Sequence, residues 1–479
     1  MNLRNRMIKR TSRHVGRFSP MTARQLIRVA LVGLGISVVP LDSAVNIAFP
    51  DITTYFDLPI QMIQWVVICY VLTHASLMLA FGRVGDIFGH ARVFRAGLLW
   101  NGAAFLCCAA APSFGWLLFC RFLQGIGAAL ILSCAPAVVT SLFPEDRRST
   151  ALAVFTTMYA LGSAGGPLLG GVLVDIWGWP AVFWFRAPIA LTALAFLEGL
   201  PPAPPRGARE PVDVLGAALL ALAISTALLS LNQLQQPERN LFMLLLLGIA
   251  LTAAFGFILR ERDAPHPIIN LSLFRIRGFA VANCASFLVY LTSFSVLLFV
   301  PYYLVRLTGL PLPLAGAVLA ASFAGSIAAS PVAGSLIERL PAGWIAAFGA
   351  ALSGAGLYLV SGWEADASWV AMVMPLTLQG FGVGLFQVAY MGVVMTTLPP
   401  EHRGVAGSLT MLTRTLGVVT GAALLTLIFH DLEASALASG VGPGNGFISA
   451  FGGTFRLAGG TAGLAAVVMA SSLARRRRP

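Results

Sequence analysis

Two charged side chains, Asp42 and Arg121, lie inside long apolar stretches of this sequence. A charge at the centre of a membrane costs about 2.5–3.5 kcal/mol on insertion scales, so such a residue points to function. The directions expected for the two helices bring Asp42 and Arg121 to a similar depth, where they can pair. A carboxylate beside an arginine, in a cavity that water reaches, can take up and release a proton. The sequence predicts a proton-coupling pair, with a purely structural ion pair as the alternative.

An internal repeat favours the proton-coupling interpretation. The segment FLQGIGAAL (122–130) recurs as TLQGFGVGL (377–385). In matching registers Thr292 stands opposite Asp42, and a leucine stands opposite Arg121. The second half of the chain therefore keeps the scaffold without the two charges, which an ion pair needed only for structure does not explain.

A second motif, GSAGGPLLGG, lies in an uncharged stretch long enough to cross a membrane. Its small residues recur at helical spacing, which lets another helix approach backbone to backbone. The proline lacks an N–H group and kinks the helix. The pattern predicts a bent seam between two helix bundles that move, with ordinary small-residue packing as the alternative. The seam residues are Gly162, Gly166, Pro167, Gly170 and Gly171.

Arg186 interrupts a third apolar stretch. A guanidinium group at that depth must find an anion or water. Three interpretations stay open: Arg186 completes a network with Asp42, it neutralises an anionic substrate, or its long side chain reaches the outer membrane interface.

The composition places the chain in a membrane. It is 57% hydrophobic and only 10% charged, whereas about a quarter of the residues of a soluble domain are charged. The sequence has no GxxxxGK[ST] phosphate-binding loop and no Cys/His metal-ligand spacing, so we expect neither an enzyme nor a metal site. Fourteen apolar runs are candidate transmembrane helices, near 28–49, 63–82, 96–113, 116–142, 150–174, 180–200, 214–234, 241–259, 278–305, 314–337, 342–362, 369–396, 405–430 and 455–474.

The basic residues predict the topology. Most of the 31 Lys and Arg residues lie in the two terminal tails and in the connections after even-numbered spans. The positive-inside rule places these segments, and both termini, in the cytoplasm. We therefore expect a multi-pass protein of a bacterial inner (cytoplasmic) membrane. Its positive charge marks topology and contacts with anionic lipid, not nucleic acid.

The repeat and the spans divide the chain into two six-helix halves with an insert between them. A substrate site between two such halves, near the membrane midplane, is typical of parallel-repeat transporters. The predicted segments are a basic tail (1–27), an N-terminal six-helix bundle (28–200), a Pro-rich linker (201–212), two inserted helices (213–260), a cytoplasmic loop with an amphipathic segment (261–277), a C-terminal six-helix bundle (278–474) and a second basic tail (475–479).

Over nearly its whole length the chain resembles the fourteen-span drug:proton antiporter family of the major facilitator superfamily. GSAGGPLLGG (162–171) resembles the superfamily's antiporter signature, GRVGDIFGHAR (82–92) its motif between spans 2 and 3, and RFLQGIGAA (121–129) its fourth-span motif. The chain departs from the family in two places. The 82–92 motif has fewer basic residues than usual, and Arg186 stands where the family usually has Asn.

The resemblance implies an all-α major facilitator fold, with two six-helix pseudo-repeats plus two inserted helices. It also implies a gate at the cytoplasmic face, where Asp86 caps a helix of the opposite half when that face is closed. A solvated charged loop is the alternative for this segment. The gating residues are Asp86, Gly82, Gly89, Arg92 and Arg147.

We interpret the chain as a proton-coupled exporter (antiporter) of amphipathic or cationic organic compounds, of the multidrug efflux type, that works by alternating access. Alternatives are an exporter or flippase of an endogenous anionic lipid or metabolite, and a non-transporting membrane sensor or assembly factor. The proton gradient replaces a cofactor. Expected partners are a small-molecule substrate, protons and membrane lipids, with a periplasmic adaptor protein as a further candidate. Candidate substrate-binding residues are Asn46, Trp65, Tyr70, His74, Gln124, Tyr159, Arg186, Tyr290, Gln379, Gln387 and Tyr390.

Overall fold

A computed structural model of the chain describes residues 23–143, 148–196, 213–233, 240–263, 271–398 and 403–474. Within these ranges the chain forms helices joined by short turns, without strands. The predictions for Arg147, for the Pro-rich linker (201–212) and for the C-terminal tail (475–479) fall outside the described residues, as does most of the N-terminal tail.

The helices follow the predicted spans in order. Those of the first half are α1 (Ala23–Ser37), α2 (Ala44–Ile47), α3 (Phe49–Tyr55), α4 (Gln64–Phe88), α5 (His90–Ala109), α6 (Phe114–Ser141), α7 (Arg148–Trp177), α8 (Ala181–Trp184) and α9 (Arg186–Phe196). The inserted pair is α10 (Val214–Gln233) and α11 (Asn240–Asp263). The second half consists of α12 (Arg277–Tyr302), α13 (Leu312–Ile337), α14 (Ala342–Val360), α15 (Trp369–Thr397), α16 (Arg403–Ala438) and α17 (Pro443–Ala474).

The structure supports most of the predicted membrane spans individually. In the described part of the chain, 11 helical segments are long and apolar enough to cross a membrane. The other three predicted spans coincide with α5, with the pair α8 and α9, and with α10. Those segments are helical but shorter or less apolar, so the count of fourteen stays a prediction while the multi-pass architecture is established.

The first span differs from the continuous helix predicted over 28–49. Helix α1 ends at Ser37, a 3-10 turn follows at Pro40–Ser43, and α2 begins at Ala44. Pro40 accounts for the interruption, because proline has no backbone N–H and its ring crowds the preceding helical turn. Asp42 therefore lies on a tight turn between two helical pieces.

The two halves pack in the same way. Helix α5 packs on α6 and α4 on α6 in the first half, as α14 packs on α15 and α13 on α15 in the second. Contacts between the halves repeat as well, since α4 packs on α16 and α7 on α13. Equivalent helices of the two halves therefore make equivalent contacts, which is the arrangement that two parallel six-helix repeats produce.

The halves meet at the end of the molecule predicted to face away from the cytoplasm, which we call the outer end. The Tyr302 hydroxyl donates to the Phe49 carbonyl oxygen at 3.4 Å. One guanidinium nitrogen of Arg306, just beyond α12, donates to the hydroxyls of Thr53 and Thr54 at 2.9 Å each. A buried apolar cluster drawn from both halves surrounds these bonds. The outer path to the centre is therefore closed in this structure.

The inserted helices lie beside the boundary between the halves. Helices α10 and α11 pack on each other, and α10 also contacts α4 and α16, one helix from each half. The Asp213 carboxylate accepts a hydrogen bond from Arg260 Nε at 3.1 Å, which ties the two helices together. Helix α11 exposes large apolar side chains such as Leu241 and Phe255, as a lipid-facing helix does.

Candidate functional site

Asp42 lies at the centre of a buried ion cluster. Its carboxylate accepts two parallel hydrogen bonds from Arg121, from Nη1 to Oδ1 at 2.7 Å and from Nη2 to Oδ2 at 2.8 Å. The Gln124 side-chain amide donates to Oδ1 at 2.8 Å, and its carbonyl oxygen accepts from Arg121 Nη1 at 2.8 Å. A bidentate contact of this kind is among the strongest ionic hydrogen bonds in proteins. The structure thus brings Asp42, Arg121 and Gln124 together.

Arg186 binds the same carboxylate. Its Nη1 donates to Asp42 Oδ1 at 2.7 Å, and its Nε donates to the Val182 carbonyl oxygen at 2.9 Å. The side chain is fully buried, so the interpretation that places its head at the outer membrane interface is wrong. Of the three interpretations of Arg186, the geometry favours the network with Asp42.

Aromatic rings cover the two guanidinium groups. The Tyr70 ring centre lies 4.3 Å from the guanidinium carbon of Arg121, and the Phe105 ring centre lies 4.3 Å from that of Arg186. Such stacking attracts a cation without neutralising it. The two arginine side chains are 1% and 0% exposed, against 13% for the side chain of Asp42. Of the three side chains in these ion pairs, that of Asp42 is the most exposed to solvent.

The ion pairs carry more positive than negative charge. Two guanidinium groups share the carboxylate of Asp42. Nη2 of Arg186 is buried and has no hydrogen-bond partner among the described residues. A buried charge that lacks full compensation exerts a strong field on nearby molecules, because little water screens it. This surplus repels cations and attracts anions.

Three of the motif glycines pack against the turn that carries Asp42. A Cβ atom added at Gly162 would lie 2.7 Å from Cγ of Pro40. One added at Gly166 would lie 2.8 Å from the Ala44 nitrogen, and one at Gly170 would lie 2.9 Å from the Ala44 carbonyl oxygen. These distances leave no room for a side chain. This face of α7 therefore fixes the first span within its own half, and the prediction that it forms the moving seam is wrong for these three residues.

The other two motif residues do lie between the halves. A Cβ atom at Gly171 would collide with the Leu312 backbone at the start of α13, and one at Gly316 would collide with the Pro167 carbonyl oxygen. Backbones approach this closely only where both helices carry small residues. Helix α7 thus has two packing faces. One packs on the turn that carries Asp42, and the other packs on the opposite half.

Gly166→Leu is expected to abolish transport, because the leucine would displace the 3-10 turn and Asp42 with it. Overpacking of a tight contact typically costs about 1–3 kcal/mol. The matched control is Gly165→Leu, since nothing lies within 4 Å of a Cβ at Gly165. Efflux from cells with equal amounts of each variant measures the difference. Equal efflux by both variants would contradict the role assigned to this face.

Four of the predicted cavity residues lie together near the centre. The rings of Tyr70 and His74 are 5.2 Å apart, centre to centre. Tyr159 is close enough to interact electrostatically with Tyr70 and with Tyr290 of the second half. These side chains connect the surroundings of the ion cluster to the opposite half. Two other predicted residues lie apart from them. Trp65 packs at the edge of the outer apolar cluster, and Gln387 is exposed on α15.

The remaining predicted substrate residues make contacts within one half. Gln379 accepts a hydrogen bond from the Ser322 hydroxyl at 2.7 Å, and Tyr390 donates to Oδ1 of Asn283 at 2.9 Å. Asn46 donates to a backbone carbonyl one turn earlier in the first span, at 3.1 Å. All three are buried. Their contacts are those of ordinary interhelical and local packing, so the structure gives them no evident substrate role.

Sequence-based reasoning missed Arg414 as a candidate site residue. It lies on α16, and its guanidinium carbon is 5.0 Å from the centre of the Tyr290 ring. A usable signal was present, since Arg414 interrupts an apolar span just as Asp42 and Arg186 do. The same reasoning that singled out those residues applies to it.

The described contact of the predicted gate residue Asp86 lies within its own half. Asp86, at the cytoplasmic end of α4, pairs with Nε2 of His90 at 3.2 Å within its own half. Gly89 has φ +93°, a left-handed conformation that favours glycine, and so allows the sharp turn into α5. Gly82 lies on α4, and Arg92 is exposed near the start of α5. The capping of the opposite half by Asp86 stays a prediction for a state closed on this side.

Fold and site together define a class of protein, a membrane transporter with two helical halves around a central ion cluster. The chain belongs to the Major Facilitator Superfamily, whose sequence model matches residues 30–261 and 282–479. It is accordingly a transporter and not an enzyme.

Named relatives support this assignment. The tetracenomycin C resistance and export protein of Streptomyces glaucescens is 30% identical to the chain over 425 residues, which cover 86% of the chain and 79% of the relative. The riboflavin transporter RibZ of Clostridioides difficile is 27% identical over 406 residues, or 84% of the chain and 88% of that protein. The crystal structure of the POT family transporter PepTSo superposes with a TM-score of 0.69 at 16% identity, over 96% of this chain and 100% of that one, and shares the fold.

Proposed function

We propose that this protein exports amphipathic organic compounds in exchange for protons, by alternating access of a central cavity to the two sides of the membrane. One observation carries the proposal: the carboxylate of Asp42 is held by two buried arginines, and yet the Asp42 side chain remains 13% exposed. A group that is both ionised by its partners and reachable by solvent can exchange a proton with each side in turn. Relatives named for antibiotic resistance and export are in keeping with it.

The hydrogen bonds indicate where the proton binds. Oδ1 of Asp42 accepts from Arg121, Gln124 and Arg186, whereas the described partner of Oδ2 is Arg121 Nη2. Oδ2 is therefore the oxygen that a proton can occupy with the smaller loss of hydrogen bonds. Protonation there displaces Nη2 and leaves the two guanidinium groups without a shared anion. Their mutual repulsion then favours a different arrangement of the helices that carry them.

The driving force is adequate for export. One proton that crosses a potential of roughly 100 mV supplies about 2.3 kcal/mol, which supports a substrate concentration ratio of about 50-fold. In the structure the outer end is closed, as alternating access requires of any state that loads substrate from the cytoplasm. Opening of the outer end requires the contacts of Arg306 and Tyr302 with the first half to separate.

A second candidate function is the export of an endogenous anionic lipid or metabolite. The surplus positive charge of the Asp42 site favours it, because Arg186 stands beside Arg121 on a single carboxylate. The same surplus argues against the cationic compounds that the sequence-based interpretation includes among the substrates.

The proposal is tested by a resistance screen in a bacterial host that lacks its own efflux pumps. Cells that produce the protein are expected to tolerate some amphipathic compounds at higher concentrations than cells that produce Asp42→Asn in equal amount. The pattern of charge among the protected compounds separates the two candidate substrate classes. If the wild-type protein protects against no compound, the export proposal fails.

A further inference from the structure

Arg414 is a second cation within the apolar spans, half-buried and separate from the Asp42 cluster. The described contact of its guanidinium group is the face of the Tyr290 ring, 5.0 Å from the guanidinium carbon. In the described part of the chain no carboxylate lies within salt-bridge distance of Arg414, whereas Arg121 and Arg186 both have Asp42. An aromatic face attracts a guanidinium group but accepts none of its five in-plane hydrogen bonds. Arg414 therefore retains unused donors.

Aromatic side chains from three other helices lie near Arg414. Tyr290 of α12 and Tyr159 of α7 are close enough to interact with it electrostatically, and so is His74 of α4. Helices α4 and α7 belong to the first half, and α12 and α16 to the second. These four side chains, which we call the Arg414 site, therefore span the boundary between the halves.

The Arg414 site lies at the depth expected for a transported molecule. Arg414 and Tyr159 are each about three helical turns, or about 16 Å, from the cytoplasmic ends of α16 and α7. A bilayer's hydrocarbon core is about 30 Å thick, so this depth is close to its middle. Groups that come from both halves separate when the halves rock, and a ligand held between them is released at that step.

The chemistry of the site selects an anion with an apolar body. A guanidinium group matches a carboxylate through two parallel hydrogen bonds, and the match is strongest where water is excluded. Tyrosine and histidine rings offer flat apolar surface together with polar edges. Asp42, which is close enough to His74 to interact with it electrostatically, is already neutralised by two arginines, so it does not repel an incoming anion.

We propose that the Arg414 site binds the acidic group of an amphipathic organic anion, with Arg414 as its anchor and the rings of Tyr159, Tyr290 and His74 against its apolar body. This inference rests on the proposed export function and names the substrate class for it. A carboxylate is the acidic group that fits a single guanidinium most directly. The site is distinct from the proton site at Asp42, so one ligand and one proton can be bound in the same protein.

The test compares two probes that share a ring system and differ in charge, pyrenebutyrate and the neutral 1-pyrenebutanol. Their binding to the purified full-length protein in detergent is followed by fluorescence, without a proton gradient. The wild-type protein is expected to bind the acid more tightly than the alcohol. Arg414→Gln should weaken binding of the acid by about 10- to 100-fold, the usual range for a hydrogen bond to a charged group. Binding of the alcohol should change less than about threefold.

Two further variants make the result specific. Arg456→Gln removes an exposed arginine of α17 and should leave the preference for the acid intact. Tyr159→Glu keeps Arg414 but supplies an internal carboxylate from the opposite half, and should abolish the preference as Arg414→Gln does. Loss of binding of the alcohol would show that Arg414→Gln has not folded. Tyr159→Glu then provides the test in its place.

The inference is overturned if the wild-type protein does not prefer the acid, or if the preference survives in both Arg414→Gln and Tyr159→Glu. Because binding is measured without a gradient, this outcome is independent of proton coupling. Failure of the export proposal would instead appear in the resistance screen, as a wild-type protein that protects against no compound, with the binding results intact.

Discussion

Asp42→Asn is expected to abolish proton-driven export while the protein remains in the membrane. The amide cannot exchange a proton, so the gradient no longer acts on the central cluster. In everted membrane vesicles, accumulation of an exported dye should fall to the background of vesicles without the protein. The loss corresponds to the full concentration ratio of about 50-fold that one proton can sustain.

The substitution also removes the anion that two buried arginines share. Breaking a buried ion pair costs about 3–5 kcal/mol, so thermal unfolding of the purified variant should begin at a lower temperature. Vesicles are therefore compared at equal protein content. Asp175→Asn, at an exposed acid of α7, is the matched control and should transport normally. Gradient-dependent accumulation by Asp42→Asn at the wild-type level would show that Asp42 does not carry the proton.

Arg186→Asn is expected to shift the substrate range toward cations. It removes one of the two arginines on Asp42 and with it the surplus positive charge. A fully buried group acts on a substrate only from a distance. At roughly 8 Å and an effective dielectric constant near 20, two like charges repel by about 2 kcal/mol. Affinity for a monovalent cation should therefore rise by about 30-fold, and export of an anionic dye should weaken.

Efflux of one cationic and one anionic dye, from cells with matched amounts of protein, distinguishes this effect from misfolding. An equal loss of both dyes would indicate a structural role for Arg186. Unchanged efflux of both would mean that its charge does not reach the substrate. Arg186→Lys is the control, because it keeps the positive charge and should retain the wild-type ratio between the two dyes.

The interpretation of Arg186 shows where sequence-based reasoning stopped. The sequence places an arginine within an apolar span, which requires a partner but does not name one. The partner depends on the direction in which a side chain points around the helix axis, and an apolar span that is buried on several faces has no polar face to fix that direction. In the structure Arg186 points inward to the carboxylate already bound by Arg121.

The glycine motif shows the same limit of sequence-based reasoning, because the sequence predicts close helix packing without naming the partner helix. Small residues at helical spacing predict close approach of some helix. They do not distinguish the first span from α13, since both offer short side chains and exposed backbone. The structure divides the motif, with Gly166 on the turn of Asp42 and Gly171 on the opposite half.

The sequence by itself determined the multi-pass architecture, the internal repeat and the charged pair at a common depth. The spans follow from local apolar length, the repeat from the similarity of two segments of the chain, and the pair from the high cost of a charge in lipid. None of the three needs a tertiary contact to be recognised. Only the tertiary structure decided that Pro40 breaks the first span, that Arg186 completes the cluster and that Arg414 faces Tyr159 across the two halves. Those features depend on how helices rotate and lean against one another, which is set by the packing of many side chains at once.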